Sequence, residues 1–589
     1  MHVIATAGHV DHGKSTLVRA LTGADPDRLG EEHRRGLSIE LGYCWTHLPG
    51  GDEVAFVDVP GHERFISTML AGVGPVPAVL FVVAADDPWM PQAAEHLAAL
   101  DCLQVRHGLL AVTRSDLADP ASATRRALDE IAKTSLGDVA AIAVSGRTGA
   151  GLGELRAALT DLVRGLPPAR VDGDVRLWVD RRFSISGAGP VVTGTLTGGR
   201  IAAGDRLCLP DGSRVRVRGV QTLGRDVTEV AGTARVALSL SGPVPAGLTR
   251  GSALVTPDAW LATTTIDVTT AAPEDLPAHP LLYIGATSVA TRTRVLGGSF
   301  VRLSLDRPLP LRVADRVLLR DPGSRALWGA DVVDPDPPPL RRRGAGRDRA
   351  ATLAATTSNP PSLRDELRRR GTVRASVARR LGYSLEGADE IAVRVGDWLL
   401  DRAVLPGLQR ELRSLLEAHS RATPLDPGLA LSVAASRLGL PTPDLLAALV
   451  SPPLRLDDGG KVTATAGSRL PPALVAALGT LERELADSPY TAPTADRLAE
   501  LRLDAKSLGA AVRAGRLVRL ADGIVLLPGA DRLAAARLAS LPQPFTTSQA
   551  RVELGTSRRV ALPLLAHLDR LGLTRRLPDD RRVTIDKAP

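Results

Sequence analysis

The chain has few cysteines and no long apolar run, the features typical of disulfide-bonded, zinc-binding and membrane proteins. Only three of its 589 residues are cysteines, Cys44, Cys102 and Cys208, and they lie far apart. This spacing excludes a disulfide framework and a zinc knuckle, and it favours a reducing compartment. No apolar run approaches the roughly 18 residues of a membrane span, and the first residues lack the basic start of a signal peptide. We therefore expect a cytoplasmic protein with no membrane partner.

Aromatic residues and lysines are also scarce. Aromatics make up 3% of the chain, and Lys supplies five of the 73 basic residues. The preference for Arg can reflect a GC-rich coding sequence and proves nothing by itself. The net charge of +8 does not depend on that preference. It indicates an anionic partner, with nucleic acid as the first candidate, and the length predicts several domains.

The first motif follows the apolar run Val3, Ile4, Ala5. Its glycines allow backbone amides to surround a phosphate, its Lys reaches the β and γ oxygens, and its Ser hydroxyl suits Mg²⁺. The predicted nucleotide-binding residues of this loop are Gly8, His9, Val10, Asp11, His12, Gly13, Lys14, Ser15 and Thr16. The motif predicts a nucleoside triphosphate site between a strand and a helix.

Four further elements follow in the order expected of a parallel sheet covered by helices on both faces. Apolar runs at 54–57, 79–83, 109–112 and 141–144 predict its strands. The second strand ends at Asp58, a carboxylate for Mg²⁺, with Gly61 near the γ-phosphate. Ser38 lies within a candidate switch segment at 34–42 and completes the predicted metal set of Ser15, Ser38 and Asp58. The guanine-recognition residues are predicted as Thr113, Arg114, Asp116, Ser145, Gly146 and Arg147.

Taken together, these five elements resemble the translational GTPases. The resemblance implies that His62 orients the attacking water, with Val10 and Leu37 as an apolar gate, and that hydrolysis is slow until the ribosome triggers it. Two departures stand out: Ser38 replaces the usual Thr, and Thr113 and Arg114 replace Asn and Lys of the guanine signature. Loop bracing and base stacking are expected to differ in detail.

From Val175 short alternating strands with glycine punctuation predict two β-barrels. The block from Asp180 to Gly189 resembles the second domain of elongation factor Tu and, more closely, of the selenocysteine-specific elongation factors. The resemblance implies that Asp180 and Arg181 line the pocket for the attached amino acid, where a guanidinium favours a selenolate over neutral serine. Side chains alternate along a strand, so both face one pocket only if the strand bulges there. A plain surface ion pair is the alternative.

After the proline-rich stretch at 336–339 the pattern becomes helical, with a loose repeat of about 60 residues in which short helices precede a hairpin-like run. Such units resemble winged-helix domains. From residue 530 onward eleven Lys and Arg face six Asp and Glu. The final unit resembles the winged helix that reads a hairpin in selenoprotein messenger RNA. We expect Ser557 to cap its recognition helix. Its predicted RNA-binding residues are Ser557, Arg558, Arg559, Arg575 and Arg576.

The fold class predicted is a multi-domain chain with an α/β P-loop GTPase domain, two β-barrels and an α+β tail of tandem winged helices. The predicted bounds are 1–168 for the GTP-binding domain, 169–257 and 258–340 for the barrels, and 341–407, 408–467, 468–529 and 530–589 for the winged helices. The resemblance implies a monomeric GTPase that uses GTP and Mg²⁺ and binds selenocysteinyl-tRNA, the ribosome and a selenoprotein mRNA hairpin. A GTP-switched nucleic-acid-binding regulator and a general aminoacyl-tRNA delivery factor are the alternatives.

Overall fold

A computed structural model describes residues 1–26, 38–185, 189–356, 358–457, 459–464 and 470–585. Its contacts divide the chain into two compact units, Met1–Glu390 and Ile391–Pro589. Among the described residues, no helix is both long enough and apolar enough to cross a membrane. The predicted gate residue Leu37 lies outside the described residues, as do residues 34–36 of the predicted switch segment.

The first domain is built on a six-stranded sheet in the order β2-β3-β1-β4-β5-β6. Neighbouring strands are parallel except β2 and β3. Alternate residues of the buried strands enter separate cores on the two faces, which confirms the doubly covered sheet. The strands are β1 (His2–Ala7), β2 (Gly42–His47), β3 (Glu53–Asp58), β4 (Ala78–Ala84), β5 (His107–Thr113) and β6 (Ala140–Ala143), and the helices α1 (Lys14–Thr22), α2 (Ile66–Val73), α3 (Pro91–Cys102), α4 (Ala121–Ile131) and α5 (Leu152–Arg164).

The second domain is a barrel whose strands pair in the order β10-β15-β7-β8-β14-β11, closed by the pairing of β10 with β11. Inward residues such as Val192, Val217 and Leu238 form its core. Its strands, including three outside the ring, are β7 (Arg176–Ile185), β8 (Gly189–Leu196), β9 (Arg200–Ala202), β10 (Arg206–Cys208), β11 (Arg214–Thr222), β12 (Arg225–Val227), β13 (Glu229–Ala231), β14 (Ala234–Ser241) and β15 (Ala253–Val255).

A second closed barrel follows, with the strand order β16-β19-β18-β17-β20-β21. Both predicted barrels are therefore confirmed. The strands of this one are β16 (Ala262–Thr270), β17 (Leu281–Ile284), β18 (Thr287–Gly297), β19 (Phe300–Pro310), β20 (Arg316–Arg320) and β21 (Leu327–Asp334).

The compact first unit continues past residue 340, where the sequence predicts a domain boundary. Arg349 reaches back to the second barrel and donates to the buried carboxylates of Asp267 and Asp334. These ion pairs hold the next elements against the barrel, although the predicted division into winged helices stays a prediction. The elements are α6 (Ala345–Ala354), α7 (Leu363–Arg370), β22 (Thr372–Arg374), α8 (Ala375–Arg380) and α9 (Ala388–Ile391), within which the unit ends.

The second unit repeats the predicted arrangement of short helices followed by a hairpin. One apolar core runs from Leu474 to Leu568, so the predicted boundary at 529/530 does not separate two cores. The elements are β23 (Ala392–Val395), β24 (Trp398–Asp401), α10 (Leu405–Ala422), β25 (Leu429–Ala430), α11 (Leu431–Arg437), α12 (Pro443–Ala447), β26 (Leu454–Leu456), β27 (Lys461–Ala464), α13 (Pro472–Asp487), α14 (Ala495–Glu500), α15 (Ala505–Arg513), β28 (Val518–Ala521), β29 (Ile524–Leu526), α16 (Ala530–Ala539), α17 (Thr547–Glu553), α18 (Arg558–Leu571), β30 (Thr574–Arg576) and β31 (Arg582–Thr584).

Candidate nucleotide site and neighbouring surfaces

A cavity of about 490 Å³ opens at the carboxyl edge of the first sheet, within the size range of small-molecule sites. The structure brings most of the predicted nucleotide-binding residues to it. Leu17 and Leu117, which the sequence did not predict to bind nucleotide, also line the cavity. The lining residues are Val10, Asp11, Gly13, Lys14, Ser15, Thr16, Leu17, Ser38, Gly61, Thr113, Arg114, Asp116, Leu117, Ser145, Gly146 and Arg147.

The loop before α1 needs glycine at its first position. Gly8 has a φ of 131°, and a Cβ there would lie 2.1 Å from the carbonyl oxygen of Val82. The amide of Gly8 donates to Nδ1 of His96 at 3.1 Å, and Lys14 Nζ donates to the carbonyl of His9 at 2.7 Å. The predicted nucleotide-binding residues Gly8, His9 and His12 do not line the cavity.

Buried histidines beneath the loop are held neutral. Burial lowers the pKa of His96 to about 3, with Lys14 adding to the effect, and burial also lowers the pKa of His12 to about 4. A neutral His96 ring can accept the Gly8 amide, and an imidazolium cannot. His9, His12 and Asp87 bring ligand atoms within 4.8 Å of one another, with His12 Nε2 and Asp87 Oδ2 at 3.3 Å.

The three residues predicted to hold Mg²⁺ lie together: Ser15 and Ser38 line the cavity, and Asp58 contacts Ser15 without lining it. The Ser15 hydroxyl donates to Asp58 Oδ2 at 2.6 Å and lies 3.0 Å from the Ser38 hydroxyl oxygen. Asp58 is fully buried and also accepts from the Thr6 hydroxyl at 2.7 Å. An all-oxygen set with one carboxylate fits a hard divalent cation beside phosphate oxygens.

The predicted water-orienting residue follows a glycine that approaches the loop closely. A Cβ on Gly61 would lie 2.5 Å from the Val10 amide nitrogen, so only glycine fits. His62 is not among the side chains that line the cavity, and its Nδ1 accepts from the Arg64 amide at 3.2 Å.

The residues that depart from the usual guanine signature brace the phosphate loop. The Thr113 hydroxyl, which is buried, donates to the His12 carbonyl at 2.7 Å and lies 3.1 Å from the Val83 carbonyl. Arg114 donates to the Asp11 carbonyl and, at 3.1 Å, to Asp86. Its guanidinium is therefore engaged with the loop and with Asp86, and the exposed apolar side chain of Leu117 lies at the cavity.

In the first barrel, β7 bulges between Val179 and Arg181. The Asp180 carboxylate is 4% exposed and is held by both arms of Arg235, with the Thr193 hydroxyl donating at 2.7 Å. Arg181 makes no surface pair with Asp180. It donates to the Leu41 carbonyl and lies 3.2 Å from Glu40, at the end of the predicted switch segment.

Tyr43 of β2 joins these charges across the interface between the GTPase domain and the barrel. The Arg235 guanidinium stacks 3.6 Å from the centre of the Tyr43 ring, and the Tyr43 hydroxyl donates to Asp180 at 3.3 Å. The sequence reading missed both Tyr43 and Arg235. The sequence around Tyr43 does not indicate a contact with the barrel, because the partners of Tyr43 lie far along the chain.

The last winged helix has Thr546 in a capping box at the start of α17 and Ser557 at the N-cap position of α18. The Ser557 hydroxyl makes no capping hydrogen bond, which corrects its expected capping role: the position is right and the bond is absent. Arg559 donates to the carbonyls of Ala492 and Pro493, and Arg576 pairs with Asp580.

Arg558 and Arg575 differ from these neighbours. Both are exposed, and in the described part of the second unit no side-chain hydrogen bond or ion pair engages them. Of the four predicted arginines, these two therefore keep their guanidinium groups available to an outside partner.

Comparisons with known proteins cover all the domains just described. Family models match residues 1–165 (elongation factor Tu GTP binding domain), 263–339 (selenocysteine-specific elongation factor, beta-barrel domain) and 536–583 (elongation factor SelB, winged helix). The chain is 30% identical to the selenocysteine-specific elongation factor of Desulfomicrobium baculatum, over 99% of both chains. It is 34% identical to that of Escherichia coli K12, over 72% of this chain and 71% of the relative. A crystal structure of a bacterial selenocysteine-specific elongation factor, 23% identical, superposes with a TM-score of 0.76 over the full length of both.

Proposed function

Because the chain belongs to the selenocysteine-specific elongation factors and is a translational GTPase, we propose that it delivers selenocysteinyl-tRNA to the ribosome at recoded UGA codons. In this proposal the final winged helix binds a hairpin of the selenoprotein mRNA. Such a tether raises the local concentration of the tRNA complex at one codon without changing either binding site. The observation that carries the proposal is the match to selenocysteine-specific relatives over 99% of the chain, tail included.

GTP would lie in the 490 Å³ cavity, with its phosphates on the loop before α1 and its base beside Asp116. The Asp116 carboxylate can accept both the ring N–H and the exocyclic amine of guanine, a donor pair that adenine lacks. Ser15, Ser38 and Asp58 would hold Mg²⁺, which would neutralise charge on the phosphate oxygens. The hydrogen-bond distances among their oxygens support this assignment.

Hydrolysis would depend on positioning and charge stabilisation. Lys14 would stabilise the β and γ oxygens, and Gly61 would offer its amide near the γ-phosphate. His62, which is engaged with the Arg64 amide, would have to turn toward the cavity to orient water. We propose that docking on the ribosome releases it, with Val10 as one side of the gate.

The amino-acid pocket is proposed at Asp180 and Arg181. Arg235 neutralises the Asp180 carboxylate, so Arg181, which is itself paired with Glu40, is the cation proposed to attract a selenolate. The bulge at this point of β7 supports the proposal, since it relieves the strict alternation of neighbouring side chains. Arg181 also contacts Leu41 and Glu40, which would let the nucleotide state of the switch segment reach the pocket.

RNA binding by the tail is proposed for the surface that carries Ser557, Arg558, Arg559, Arg575 and Arg576. Arg558 and Arg575 would supply the main phosphate contacts, because Arg559 and Arg576 are engaged within the protein.

A reconstituted translation reaction tests the proposed function. A messenger with an internal UGA is translated with selenocysteinyl-tRNA, with and without a downstream selenoprotein hairpin. We expect full-length product only with this protein, GTP and the hairpin together. Product that is independent of the hairpin would favour a general delivery factor, and no product with any combination would contradict the proposal.

A further inference from the structure

Two histidines and an aspartate come together beside the loop that precedes α1. His9 and His12 belong to this loop, between β1 and α1, and Asp87 lies in the loop between β4 and α3. Because β1 and β4 are parallel neighbours, the loops that follow them meet at the carboxyl edge of the sheet. We call His9, His12 and Asp87 the histidine–aspartate cluster. Their ligand atoms lie within 4.8 Å of one another.

The cluster contains a buried imidazole without a hydrogen-bond partner. His12 is 1% exposed, and neither of its ring nitrogens makes a hydrogen bond with any described residue. Buried polar groups are nearly always hydrogen-bonded, so an imidazole with both nitrogens unpaired indicates a place for a ligand. The His12 ring meets the His9 ring edge-on, with the two ring centres 4.9 Å apart.

The spacing of the cluster suits a metal ion. Zinc binds imidazole nitrogens and carboxylate oxygens at about 2.0–2.2 Å, so two ligands of a tetrahedral zinc ion lie roughly 3.4 Å apart. His12 Nε2 and Asp87 Oδ2 lie 3.3 Å apart, which is close to this separation. The side chain of His9 is only partly buried, so it can rotate to bring its ring nitrogen to the same point.

The charges around the cluster favour neutral imidazoles, the form that binds a metal. Burial lowers the pKa of both His9 and His12, to about 4 for His12. The positive charge of Lys14 also lowers both pKa values, and it would repel a cation. Asp87 acts in the opposite direction on both histidines, and Asp11 does so on His9. The cluster therefore has a carboxylate of its own to counter the repulsion by Lys14.

The cluster is separate from the residues proposed to hold Mg²⁺. None of its three side chains lines the nucleotide cavity, whereas Ser15 and Ser38 do. The ligand types differ as well. Mg²⁺ prefers oxygen ligands, and imidazole nitrogens favour zinc and its neighbours among the transition metals.

We propose that the histidine–aspartate cluster binds a zinc ion, with water in the fourth position. The ion would join the loop before α1 to the loop after β4. It would thus restrain the loop on which the phosphates of GTP are proposed to lie. This inference goes beyond the proposed function and does not depend on tRNA or the ribosome. It is carried by the buried, unpaired imidazole of His12 beside the carboxylate of Asp87.

Calorimetric titration of the full-length protein with Zn²⁺ tests the proposal. The protein is loaded with GDP and excess Mg²⁺ at neutral pH and freed of unbound nucleotide, so that the nucleotide site is occupied. We expect one tight zinc site in the wild type. Asp87→Asn removes the anionic ligand and His9→Gln removes a nitrogen ligand. Each should weaken this site by at least about tenfold, the loss typical when even a supporting residue of a metal site is replaced.

His47→Gln is the matched control. His47 is exposed and lies 3.3 Å from the Glu53 carboxylate, the same separation as in the cluster, but this pair has no third ligand among the described residues. Its replacement should leave the tight site unchanged. The thermal unfolding midpoint of each variant without zinc shows whether the variant is folded. Added zinc should raise the midpoint of the wild type and of His47→Gln more than that of the two cluster variants.

Two outcomes would overturn the inference. One is a wild-type protein without a tight zinc site, and the other is a pair of folded cluster variants that bind zinc as tightly as the wild type. Failure of the proposed function would look different, because delivery of selenocysteinyl-tRNA could fail while the zinc titrations give the expected results.

Discussion

Replacing Arg181 by Gln should remove selenium selectivity without unfolding the barrel. A selenolate about 4 Å from a guanidinium is attracted by about 4 kcal/mol at an effective dielectric constant of about 20. Arg181 is 29% exposed and lies 3.2 Å from Glu40, so solvent and that carboxylate weaken the attraction. The energy of a charge-assisted hydrogen bond, about 1.5–3 kcal/mol, is therefore the better measure of what Arg181 contributes to binding. Its removal corresponds to a loss of about 10- to 150-fold in affinity.

The assay measures equilibrium binding of one tRNA body carrying selenocysteine or serine to the GTP-bound variant. Affinity for the selenocysteine form should fall by that factor, and affinity for the serine form should stay within about twofold. Arg182→Gln is the matched control, because the Arg182 side chain donates to the Leu248 carbonyl and makes no contact with Glu40 or Leu41. Equal losses for both tRNAs, or none for either, would refute the assignment of Arg181.

Three further predictions concern the side chains of His96, Asp334 and Asp116. Burial lowers the pKa of His96 to about 3, so below pH 6.5 the unfolded chain binds a proton that the folded protein does not bind. The free energy of unfolding should therefore fall by about 1.4 kcal/mol per pH unit between pH 6.5 and 3. His96→Gln should remove this pH-dependent loss of stability in urea titrations at pH 7 and 5. Asp334→Asn should destabilise the first unit by about 3–5 kcal/mol in urea unfolding, because Arg349 and Arg369 lose a carboxylate that is 1% exposed. Asp116→Asn should weaken GTP binding about 100-fold while leaving stability unchanged, since two hydrogen bonds to guanine depend on the carboxylate.

Each of these predictions has an outcome that contradicts it. For His96, the reasoning fails if wild type and variant lose the same stability between pH 7 and 5. A change below 1 kcal/mol in Asp334→Asn would mean that the buried ion pairs do not hold the helices after residue 340. For Asp116, unchanged discrimination between GTP and ATP would place guanine recognition elsewhere, and Asp119→Asn, three residues further on, serves as the control.

Local motifs made the GTPase domain predictable. The loop at Gly8 and the carboxylate at Asp58 each follow an apolar run, and the carboxyl ends of parallel strands meet at one edge of a sheet. Their meeting in one cavity therefore follows from the order of the strands. The repeat of helices and hairpins in the tail was predictable for the same reason, because its turn signals lie close to the strands that they join.

Contacts between distant parts of the chain were not predictable in this way. His96 supports Gly8 across 88 residues, and Arg349 reaches Asp267 across 82. The bulge that sets Asp180 beside Arg235 depends on the pairing of whole strands, and a single sequence does not specify such registers. The engagement of Arg559 and Arg576 within the protein likewise requires the folded tail.

The measurement that tests the account most directly is the affinity of the wild-type protein for one tRNA body carrying either selenocysteine or serine, in the GTP and GDP states. The account predicts a preference of at least tenfold for selenocysteine that is present with GTP and largely lost with GDP, because Arg181 of the proposed pocket contacts the end of the predicted switch segment. Equal affinity for the two tRNAs with GTP, or a preference that ignores the nucleotide, would contradict it.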